Sequence, residues 1–544
     1  MEMINLSLPG TSRFATDYAG WVPGMERFFH YKYHEPAEYR SRIEELNNRK
    51  FHRNELADHI SAFMAAFPGS TAINKSIEKL RQENSVVIIG GQQAGILTGP
   101  LYTIHKIISI ISFAKQKERE LNIPVVPVFW IAGEDHDFQE VNHVYVCEKK
   151  RIEKWNYPER ILEKKMVSDI QIDEEICKRW IEEVIESYGE TEHTSKLLQF
   201  TGQLLKKNLN FVDFFSAIIL ELFKEYGLLI VDSGNRDLRM LEKEILIRQI
   251  KDHQQITNAV HFQQQQLVAA GYNKTIEIAE NAANLFYYDS TVNERILLEF
   301  RPEAQLFIGK NGRVSFTEAE LIELANEFPE RLSNNVVTRP LTQEWLFPTL
   351  SFIGGPGEIA YWAELTKVFE HFQMKVPPIV PRLNMTILDR SLETDLTDLE
   401  ISVAEALTNG VEAAKTHFLN SIKDDELERL FSETRQQLND KYQLIQNVVK
   451  QKYAGLLPLL EKNEKVVQSQ IDFMADKLDL EIRLRHANTL NKLARIETAL
   501  KPLGLPQERV WNIFYYLNKY GLDFVNELLM LPYEFDGTHK IIKV

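Results

Sequence analysis

Cysteine is scarce in this sequence, and the usual signs of export, membrane insertion and nucleic-acid binding are missing. The 544 residues include two cysteines, Cys147 and Cys177, and no Cys-x-x-Cys pair, which argues against a disulfide framework and a structural zinc site. The first residues show no basic segment followed by an apolar run, and no apolar stretch approaches the ~18 residues of a transmembrane helix. The formal net charge of -15 argues against a general nucleic-acid binder, because phosphate neutralisation needs a basic face. We therefore expect a cytoplasmic protein without nucleic-acid or membrane partners, although a local cationic pocket for a small anion is not excluded.

The order of the apolar runs predicts an α/β fold with a doubly wound sheet. A continuous apolar run at Val86–Ile89 precedes two glycines and is typical of a buried parallel strand. A second strand is predicted near Val125–Ala132, with its regular part from Val128 because Pro127 cannot donate a ladder hydrogen bond. A third strand is predicted at Leu228–Val231. Strands that alternate with helices on this scale favour a doubly wound sheet.

The chain is too long for one ordinary core, and its pattern changes along its length. Residues 1–387 carry the α/β pattern. At 284–316, short β-prone runs and the hairpin signal Lys310-Asn311-Gly312 predict a small antiparallel insert. From 388 to 503 glycine and proline are sparse and the spacing is helical, so we predict a helical arm. The last residues, 504–544, are expected to pack on the core.

Two runs within the arm have the apolar spacing of a coiled coil. In the first run apolar residues recur every seven positions, and in the second the spacing between successive apolar residues alternates between four and three positions. The predicted seam residues are Phe431, Leu438 and Ile445 on the first run and Val467, Ile471, Met474 and Leu478 on the second. Gly455 and Pro458 separate the runs, so we predict an antiparallel hairpin of two long helices. Such an arm usually serves dimerisation; a helix pair packed within one domain is the alternative.

A glycine-rich stretch, Gly90–Gly95, follows the first predicted strand and precedes a helix that can begin at Pro100. Glycine admits backbone N–H groups to a ligand, and a helix N-terminus favours an anion such as phosphate or carboxylate. The spacing is neither the dinucleotide fingerprint nor the Walker loop. We assign Gly91, Gln92 and Gln93 to substrate binding, since amides at a strand end can orient a polar substrate. A tight structural turn is the alternative.

His105 and Lys106 lie about one and a half turns into the helix that follows this stretch. A histidine at this position can transfer a proton or stabilise a transferring group, so His105 is a catalytic candidate. Lys106 is a candidate for substrate binding. A hydrogen-bonded core histidine is the alternative for His105.

The sharpest cluster of ionisable residues follows the second predicted strand. Glu134, Asp135, His136 and Asp137 are consecutive, and neighbouring carboxylates and an imidazole can tune one another's pKa. We predict general acid/base chemistry or amine recognition here. A structural polar network is one alternative and a divalent metal is another. No metal ligands are assigned, because adjacent side chains cannot all face one ion and the spacing matches no standard zinc motif.

A third loop, Gly354–Glu358, follows another strand-like run. Gly355 and Gly357 can admit a substrate backbone, and Glu358 can pair with an ammonium group. Arg382, which follows Pro378 and Pro381, is a candidate anion contact. A turn with core aromatics is the alternative for this loop.

Three long motifs together resemble the BshC family, the cysteine ligases of bacillithiol biosynthesis. They are Gly-Gly-Gln-Gln-Ala-Gly-Ile-Leu-Thr-Gly-Pro-Leu-Tyr-Thr-Ile-His-Lys (90–106), Pro-Val-Phe-Trp-Ile-Ala-Gly-Glu-Asp-His-Asp-Phe (127–138) and Gly-Gly-Pro-Gly-Glu-Ile-Ala-Tyr-Trp (354–362). The resemblance spans essentially the whole chain. It implies a Rossmann-like core, connecting-peptide insertions at about 145–225, mainly helical, and at 284–316, and a coiled-coil arm that makes a homodimer.

The resemblance also implies a reaction, the last step of bacillithiol synthesis. In that step cysteine is joined to the amine of glucosaminyl-malate, and relatedness to nucleotide-binding ligases implies ATP or another adenine nucleotide as cofactor. Aminoacyl-adenylate enzymes with comparable cores carry His-x-Gly-His and Lys-Met-Ser-Lys-Ser motifs, and neither occurs here. The stretch from Thr98 to Lys106 is the counterpart that the resemblance suggests for the first motif, which makes Thr98 a binding candidate.

The chemistry of such a ligase sets two requirements. A free carboxylate does not acylate an amine without activation, and the attacking amine must be unprotonated. We assign the base to Asp135 with His136, and Glu134 to substrate binding. An acyl transferase that uses a pre-activated donor and a non-catalytic nucleotide-binding scaffold of the same pathway are the competing hypotheses.

Overall fold

The computed structural model describes residues 1–10, 12–148, 151–159, 164–205 and 209–544. It divides into two compact units, the first formed by Met1–Ile387 with Gln507–Lys543 and the second by Leu388–Pro506 with Val544. The chain therefore leaves the first unit, builds the second and returns to the first. Within the described residues, no helix is long and apolar enough to cross a membrane.

The first unit begins with helices that precede two strands of a parallel sheet. These elements are β1 (Glu2–Leu6), α1 (Arg13–Ala19), α2 (Pro36–Asn47), α3 (Arg53–Met64), α4 (Thr71–Leu80), β2 (Val86–Gln92), α5 (Tyr102–Leu121), β3 (Val125–Ile131) and α6 (Phe138–Val141). Helix α4 begins after Ser70, whose hydroxyl accepts a hydrogen bond from the N–H of Ile73. Such a cap satisfies one of the free N–H groups at a helix start.

A largely helical segment separates β3 from the next strand of the sheet. Its elements are β4 (His143–Glu148), β5 (Arg151–Asn156), α7 (Glu174–Ser187), α8 (Thr194–Leu204), α9 (Phe211–Phe223), β6 (Leu229–Asp232), α10 (Arg236–Leu241), α11 (Lys243–Lys251) and α12 (His253–Ala269). Helix α9 begins with a capping box, in which Asn210 and Asp213 satisfy each other's backbone N–H groups. Strands β4 and β5 pair with each other as an antiparallel ribbon.

The next segment builds an antiparallel sheet and then returns to the parallel one. Its elements are β7 (Ala282–Asp289), β8 (Glu294–Arg301), β9 (Leu306–Gly309), β10 (Ser315–Phe316), α13 (Glu318–Glu327), β11 (Leu332–Asn334), α14 (Thr338–Leu346), β12 (Thr349–Gly354), α15 (Pro356–Trp362), α16 (Thr366–His371), β13 (Ile379–Pro381) and β14 (Asn384–Leu388). The antiparallel strands lie in the order β10-β9-β8-β7-β11. Leu285, Leu298, Phe307 and Leu321 form part of its own apolar core.

The central sheet has five parallel strands in the order β13-β12-β2-β3-β6. Strand β2 lies in the middle, and its residues Val86–Gly90 are buried, which explains the unbroken apolar run. Because β12, β2 and β3 are neighbours in the sheet and parallel, their carboxyl ends lie side by side. In open α/β sheets ligands bind at this edge. The predicted α/β fold with a Rossmann-like core is confirmed.

Pro127 does not delay the start of β3, contrary to the prediction that the regular strand begins at Val128. The strand runs from Val125, and Pro127 lies opposite Ile88 of β2. The register of β3 with β6 begins only at Val128, opposite Leu229. The hydrogen-bond ladder between β3 and β6 therefore begins after Pro127. A missing N–H directed to that side breaks no ladder hydrogen bond.

The second unit consists of helices. They are α17 (Arg390–Asp398), α18 (Val403–Thr408), α19 (Glu412–Ser421), α20 (Asp425–Lys452), α21 (Leu457–Arg485) and α22 (Ala487–Leu500). Helices α20 and α21 form an antiparallel hairpin. Its cross-links include hydrogen bonds of 2.8 Å between Arg435 and Asp472 and of 2.6 Å between Tyr442 and Asn463.

Two predicted seam residues lie outside the hairpin contact. Ile445 is 45% exposed and Met474 is 51% exposed, whereas Phe431, Leu438 and Leu478 are half-buried. A straight helix drifts by ~20° for each seven-residue repeat, so a residue two repeats from Phe431 leaves the seam. Tyr442, which is buried, takes the seam position there instead of Ile445.

The chain then returns to the first unit. The returning elements are α23 (Gln507–Val510), α24 (Ile513–Tyr520), α25 (Phe524–Leu529) and β15 (His539–Lys543). Strand β15 lies between β1 and β14 in a three-stranded sheet, antiparallel to β1. The first and last strands of the chain are therefore neighbours.

Candidate active site

A cavity of about 340 Å³ lies in the first unit at the carboxyl ends of the central strands. The wall residues from these strand ends and the loops after them are Gly91, Gln92, Gln93, Trp130, Ala132, Asp135, Phe352, Gly355, Pro356, Gly357 and Glu358. The other wall residues are Tyr102, Lys106, Arg339, Pro340, Gln343, Tyr361, Trp362, Arg382 and Arg509. The structure therefore brings together side chains from all three sequence motifs.

Lys106 lies at the base of this cavity and holds two of its walls together. It is 1% exposed, and its ammonium group donates to the carbonyl of Gly91 at 2.7 Å, to the Gln92 side-chain oxygen at 3.2 Å and to Glu358. Burial lowers the pKa of Lys106, and the Glu358 carboxylate opposes that effect. All three ammonium protons have acceptors, so Lys106 acts as a positioning residue.

The predicted loop at Gly354–Glu358 is the start of a helix. Gly355 precedes α15, Pro356 occupies its first turn, and the Glu358 carboxylate accepts a hydrogen bond of 2.7 Å from the Gly355 N–H. Glu358 was predicted to pair with an ammonium group. In this structure that ammonium group belongs to Lys106.

Glu134 does not line the cavity, although it was assigned to substrate binding. It is fully buried, and its two oxygens accept from Arg239 and from Arg339, the latter at 2.7 Å. Burial alone raises the pKa of this carboxyl, but the guanidinium groups of Arg239, Arg339 and Arg295 together lower it to about 2. Glu134 is thus a permanent anion that holds Arg339 in the cavity wall.

Asp135 does line the cavity, and one of its two carboxylate oxygens is paired. Its Oδ1 accepts from Arg339 and, at 3.4 Å, from Arg295. Neither contact involves Oδ2, which has no hydrogen-bond partner in the described part of the chain. One carboxylate oxygen is therefore free to bind an amine.

His136 and His105 lie away from the cavity wall. The His136 ring packs edge-on against Phe286 with 6.0 Å between centroids, and its Nδ1 has no partner among the described residues. His105 is 1% exposed, and its Nδ1 lies 3.0 Å from Glu508. Burial lowers the pKa of both imidazoles. Neither histidine is among the residues that line the cavity, and their catalytic roles stay predictions.

The glycines at the end of β2 are explained by close packing of strands. Gly90 and Gly91 belong to β2, not to a loop. A Cβ on Gly90 would lie 2.9 Å from the carbonyl of Ile353, and one on Gly91 would lie 2.9 Å from the carbonyl of Trp130. Only glycine fits between these neighbours. The reason for the glycines at these two positions is therefore strand packing, and not the tight turn that was the alternative.

A strained turn connects β2 to α5, and it contains the predicted binding residue Thr98. Leu97, Thr98 and Gly99 all have positive φ, and Thr98 is fully buried away from the cavity. The side-chain amide of Asn512 donates to the carbonyls of Leu97 and Gly99, each at 2.7 Å. Residues held in such backbone conformations depend on neighbours that fix them. Here the neighbour is the returning C-terminal segment.

Arg382 is bound to the same returning segment. Its guanidinium pairs with both carboxylate oxygens of Glu508, and Arg382 and Glu508 are both buried. Burial alone raises the pKa of Glu508, but Arg382 and His105 hold it well below its ordinary value. The next residue, Arg509, lines the cavity. Arg382, the predicted anion contact, therefore lines the cavity, and its charge is already compensated by Glu508.

Sequence reasoning missed the cavity residues Arg339, Tyr102, Tyr361 and Arg509. Tyr102 and Tyr361 stand inside the motifs, but no spacing distinguishes them from core aromatics. Arg339 and Arg509 are distant in sequence from every motif. Among the described residues, no group of three or more His, Cys, Asp and Glu side chains is arranged to hold a metal ion.

Comparison with known proteins decides the family. A family model described as "Bacillithiol biosynthesis BshC, N-terminal Rossmann-like domain" matches residues 1–383, and one described as "Bacillithiol biosynthesis BshC, C-terminal coiled-coil domain" matches residues 385–544. The chain belongs to the BshC family. The predicted family and the predicted coiled-coil arm are thereby confirmed.

Curated BshC relatives match along their whole length. The protein of Geobacillus thermodenitrificans is 45% identical over 544 residues, covering 100% of both chains. Those of Geobacillus kaustophilus and Bacillus cytotoxicus are 45% and 42% identical, again over 100% of both chains. All three carry the name "Putative cysteine ligase BshC".

Proposed function

We propose that this protein is an amide-forming ligase that joins the carboxyl group of cysteine to the amine of glucosaminyl-malate, the last step of bacillithiol synthesis. One observation carries the proposal. The carboxylate of Asp135, whose Oδ2 has no hydrogen-bond partner in the described part of the chain, shares a cavity with three guanidinium groups. These belong to Arg339, Arg382 and Arg509. An amine acceptor that also bears carboxylates requires both kinds of group, and the names of the BshC relatives favour cysteine as the acyl donor.

Asp135 is the residue best placed to take the proton of the attacking amine. The neutral nitrogen forms the amide bond to the activated carbonyl carbon, and the activating group leaves with its electron pair. The proton lost by the nitrogen passes to Oδ2 of Asp135, while Arg339 holds Oδ1. His136 lies outside the cavity wall, so we now assign the base to Asp135 alone.

Activation of the cysteine carboxyl remains part of the proposal, with ATP or another adenine nucleotide as the activating cosubstrate. Lys106, Arg339 and Arg382 are each paired with a carboxylate, and the glycines at the end of β2 serve strand packing. We therefore assign no residues to the nucleotide and derive no step through it.

A purified-protein assay separates this function from its competitors. The protein is incubated with cysteine, glucosaminyl-malate and ATP-Mg, and bacillithiol, AMP and ADP are measured by mass spectrometry. Bacillithiol with AMP or ADP supports the ligase. Product that requires an added cysteine thioester or acyl phosphate instead of ATP identifies an acyl transferase. Absence of product from both donor sets, with correctly folded protein, overturns the enzyme assignment and favours the scaffold.

We further propose that the protein is a cytoplasmic homodimer formed through its arm. Besides the hairpin seam, α21 carries a second apolar stripe with seven-residue spacing, whose members are 47–64% exposed in the single chain. The stripe consists of Leu459, Val466, Phe473 and Leu480. A sustained exposed heptad is the pattern that a second helix covers. This stripe replaces Phe431 and Leu438, which face the hairpin, as the proposed dimer contact.

A further inference from the structure

One cation of the cavity differs from the other three. Lys106 pairs with Glu358, Arg339 with Glu134 and Asp135, and Arg382 with Glu508. In contrast, Arg509 has neither an ion pair nor a side-chain hydrogen bond within the described residues. It is exposed to solvent and lines the cavity. Its positive charge is therefore available to a ligand.

Tyr102 lies beside this free arginine and also lines the cavity. The guanidinium groups of Arg509 and Arg382 both act electrostatically on the Tyr102 hydroxyl. The Arg382 guanidinium lies 6.0 Å from the centroid of the Tyr102 ring. In the described part of the chain, the hydroxyl of Tyr102 has no hydrogen-bond partner. An O–H donor and an uncompensated guanidinium thus stand together in one wall.

The backbone that carries Arg509 is fixed on both sides, although its side chain is free. Glu508 is bound to Arg382 and His105, and Val510 is buried. The N–H of Leu101, the residue before Tyr102, donates to the carbonyl of Trp511 at 2.8 Å. The segments that carry Tyr102 and Arg509 are therefore hydrogen-bonded to each other. Such preorganisation reduces the cost of binding a ligand between them.

We propose that Tyr102 and Arg509 form a carboxylate subsite that binds the malyl group of glucosaminyl-malate. The inference rests on the proposed function, because it takes its ligand from that reaction. Malate supplies the carboxylates, and a guanidinium with a neighbouring hydroxyl is a strong partner for a carboxylate. The amine of the same substrate then lies toward Asp135, which lines the same cavity. The subsite thus binds the acceptor, not the cysteine or the nucleotide.

Steady-state kinetics with two acceptors test this assignment. The variants are Arg509→Met, Arg509→Lys and Tyr102→Phe, and the acceptors are glucosaminyl-malate and methyl glucosaminide, which lacks both carboxylates. Arg509→Met should lower kcat/KM for glucosaminyl-malate by roughly 10- to 100-fold. Activity on methyl glucosaminide and the KM for cysteine should stay unchanged. Arg509→Lys should recover part of the loss, and Tyr102→Phe should show a smaller loss of the same selectivity.

The matched control is Arg40→Met, since Arg40 is an exposed arginine on α2 that does not line the cavity. It should behave as the wild type with both acceptors. Equal losses of Arg509→Met on the two acceptors, or a rise in the KM for cysteine or ATP instead, would overturn the carboxylate assignment. A rise in the KM for cysteine or ATP would mean that Arg509 binds an anionic group of cysteine or ATP instead.

Calorimetric titration of glucosaminyl-malate into the protein without nucleotide separates the subsite from the reaction. Binding that weakens by 10-fold or more in Arg509→Met supports the subsite even if the wild type makes no bacillithiol, in which case only the proposed function fails. Normal turnover together with equal affinity of wild type and variant overturns the subsite and leaves the function. A wild type that does not bind glucosaminyl-malate overturns the subsite as well.

Discussion

Glu508 binds Arg382 with both carboxylate oxygens, and one of those oxygens also lies 3.0 Å from Nδ1 of His105. Glu508 belongs to the segment that returns after the second unit, whereas Arg382 follows a strand of the central sheet. The cavity is therefore completed only when the last part of the chain is in place. Removal of this carboxylate has consequences for both stability and binding.

The variant Glu508→Gln should destabilise the first unit. It leaves the buried guanidinium of Arg382 without its counter-ion, and breaking a buried pair by removing one partner costs about 3–5 kcal/mol. Urea unfolding followed by tryptophan fluorescence measures the loss. The control is Glu527→Gln, since Glu527 is an exposed carboxylate on α25. Equal stability of the two variants would contradict the structural role of the pair.

Asp135→Asn should reduce the rate of bacillithiol formation far more than His136→Ala. Loss of a general base commonly lowers the rate by ~10²–10⁴-fold. His136 packs against Phe286 outside the cavity wall, so its removal should change the rate by less than about 10-fold. The assay compares kcat for the two variants at saturating substrates. An unchanged rate for Asp135→Asn, or the larger loss for His136→Ala, would reverse our assignment.

Lys106 and Glu358 should behave as a coupled pair. Lys106→Met leaves Glu358 without its ammonium partner, and Glu358→Gln leaves a buried ammonium group without its carboxylate. Each single variant should lower the free energy of unfolding by more than the ion pair contributes to it, because it leaves the other charge unpaired. The double variant should lower it by less than the sum of the two single losses. Denaturant titration of the four proteins gives the coupling free energy, expected at about 1–3 kcal/mol. Simple additivity would show that the two side chains act independently.

The fold was predictable because its strands are unbroken apolar runs, and buried parallel strands require such runs. Val86–Ile89 and Leu228–Val231 identified two of them, with the boundaries shifted by a few residues. Strand β11 was missed, since Leu332–Asn334 is too short and too polar to show a pattern. It forms because β7 offers an edge for pairing.

The location of the candidate site was predictable from the sequence, but several of its residues were not. Sequence neighbours after a strand point in different directions: Glu134 enters a buried arginine cluster, Asp135 faces the cavity, and His136 packs on Phe286. The cluster thus appears as one group only in the sequence. Arg509 reaches the cavity after a separate unit of the chain, and no local pattern records such a return.

Asp232 should make the stability of the first unit depend on pH. It is buried at the end of β6, where burial raises its pKa to about 7 despite hydrogen bonds from Gly234 and Ser168. A carboxyl with a raised folded pKa stabilises the fold fully below its unfolded pKa of ~4 and loses that contribution as the pH rises through 7. Asp232→Asn stays neutral throughout this range. The free energy of unfolding of Asp232→Asn, relative to that of the wild type, should therefore rise by on the order of 2–4 kcal/mol between pH 4 and pH 8.

Urea unfolding at pH 4, 6 and 8 measures this difference. The matched control is Asp237→Asn, since Asp237 is an exposed carboxylate on the next helix. Its stability difference from wild type should vary little over the same range. A pH-independent difference for Asp232→Asn would show that Asp232 is already ionised within the fold.

The exposed stripe of α21 should hold the proposed dimer together. Replacing Val466 and Phe473 with lysine places charges on two residues that are 50% and 51% exposed in the single chain. If the stripe is covered by a second copy, each of these side chains contributes about 1.5–3 kcal/mol of burial to the association. Light scattering should then show a fall from two chains to one. Val268→Lys, at an apolar position on α12 that is 57% exposed, should leave the mass unchanged. A dimeric mass for the folded α21 variant would place the contact elsewhere, and a monomeric wild type would remove the dimer itself.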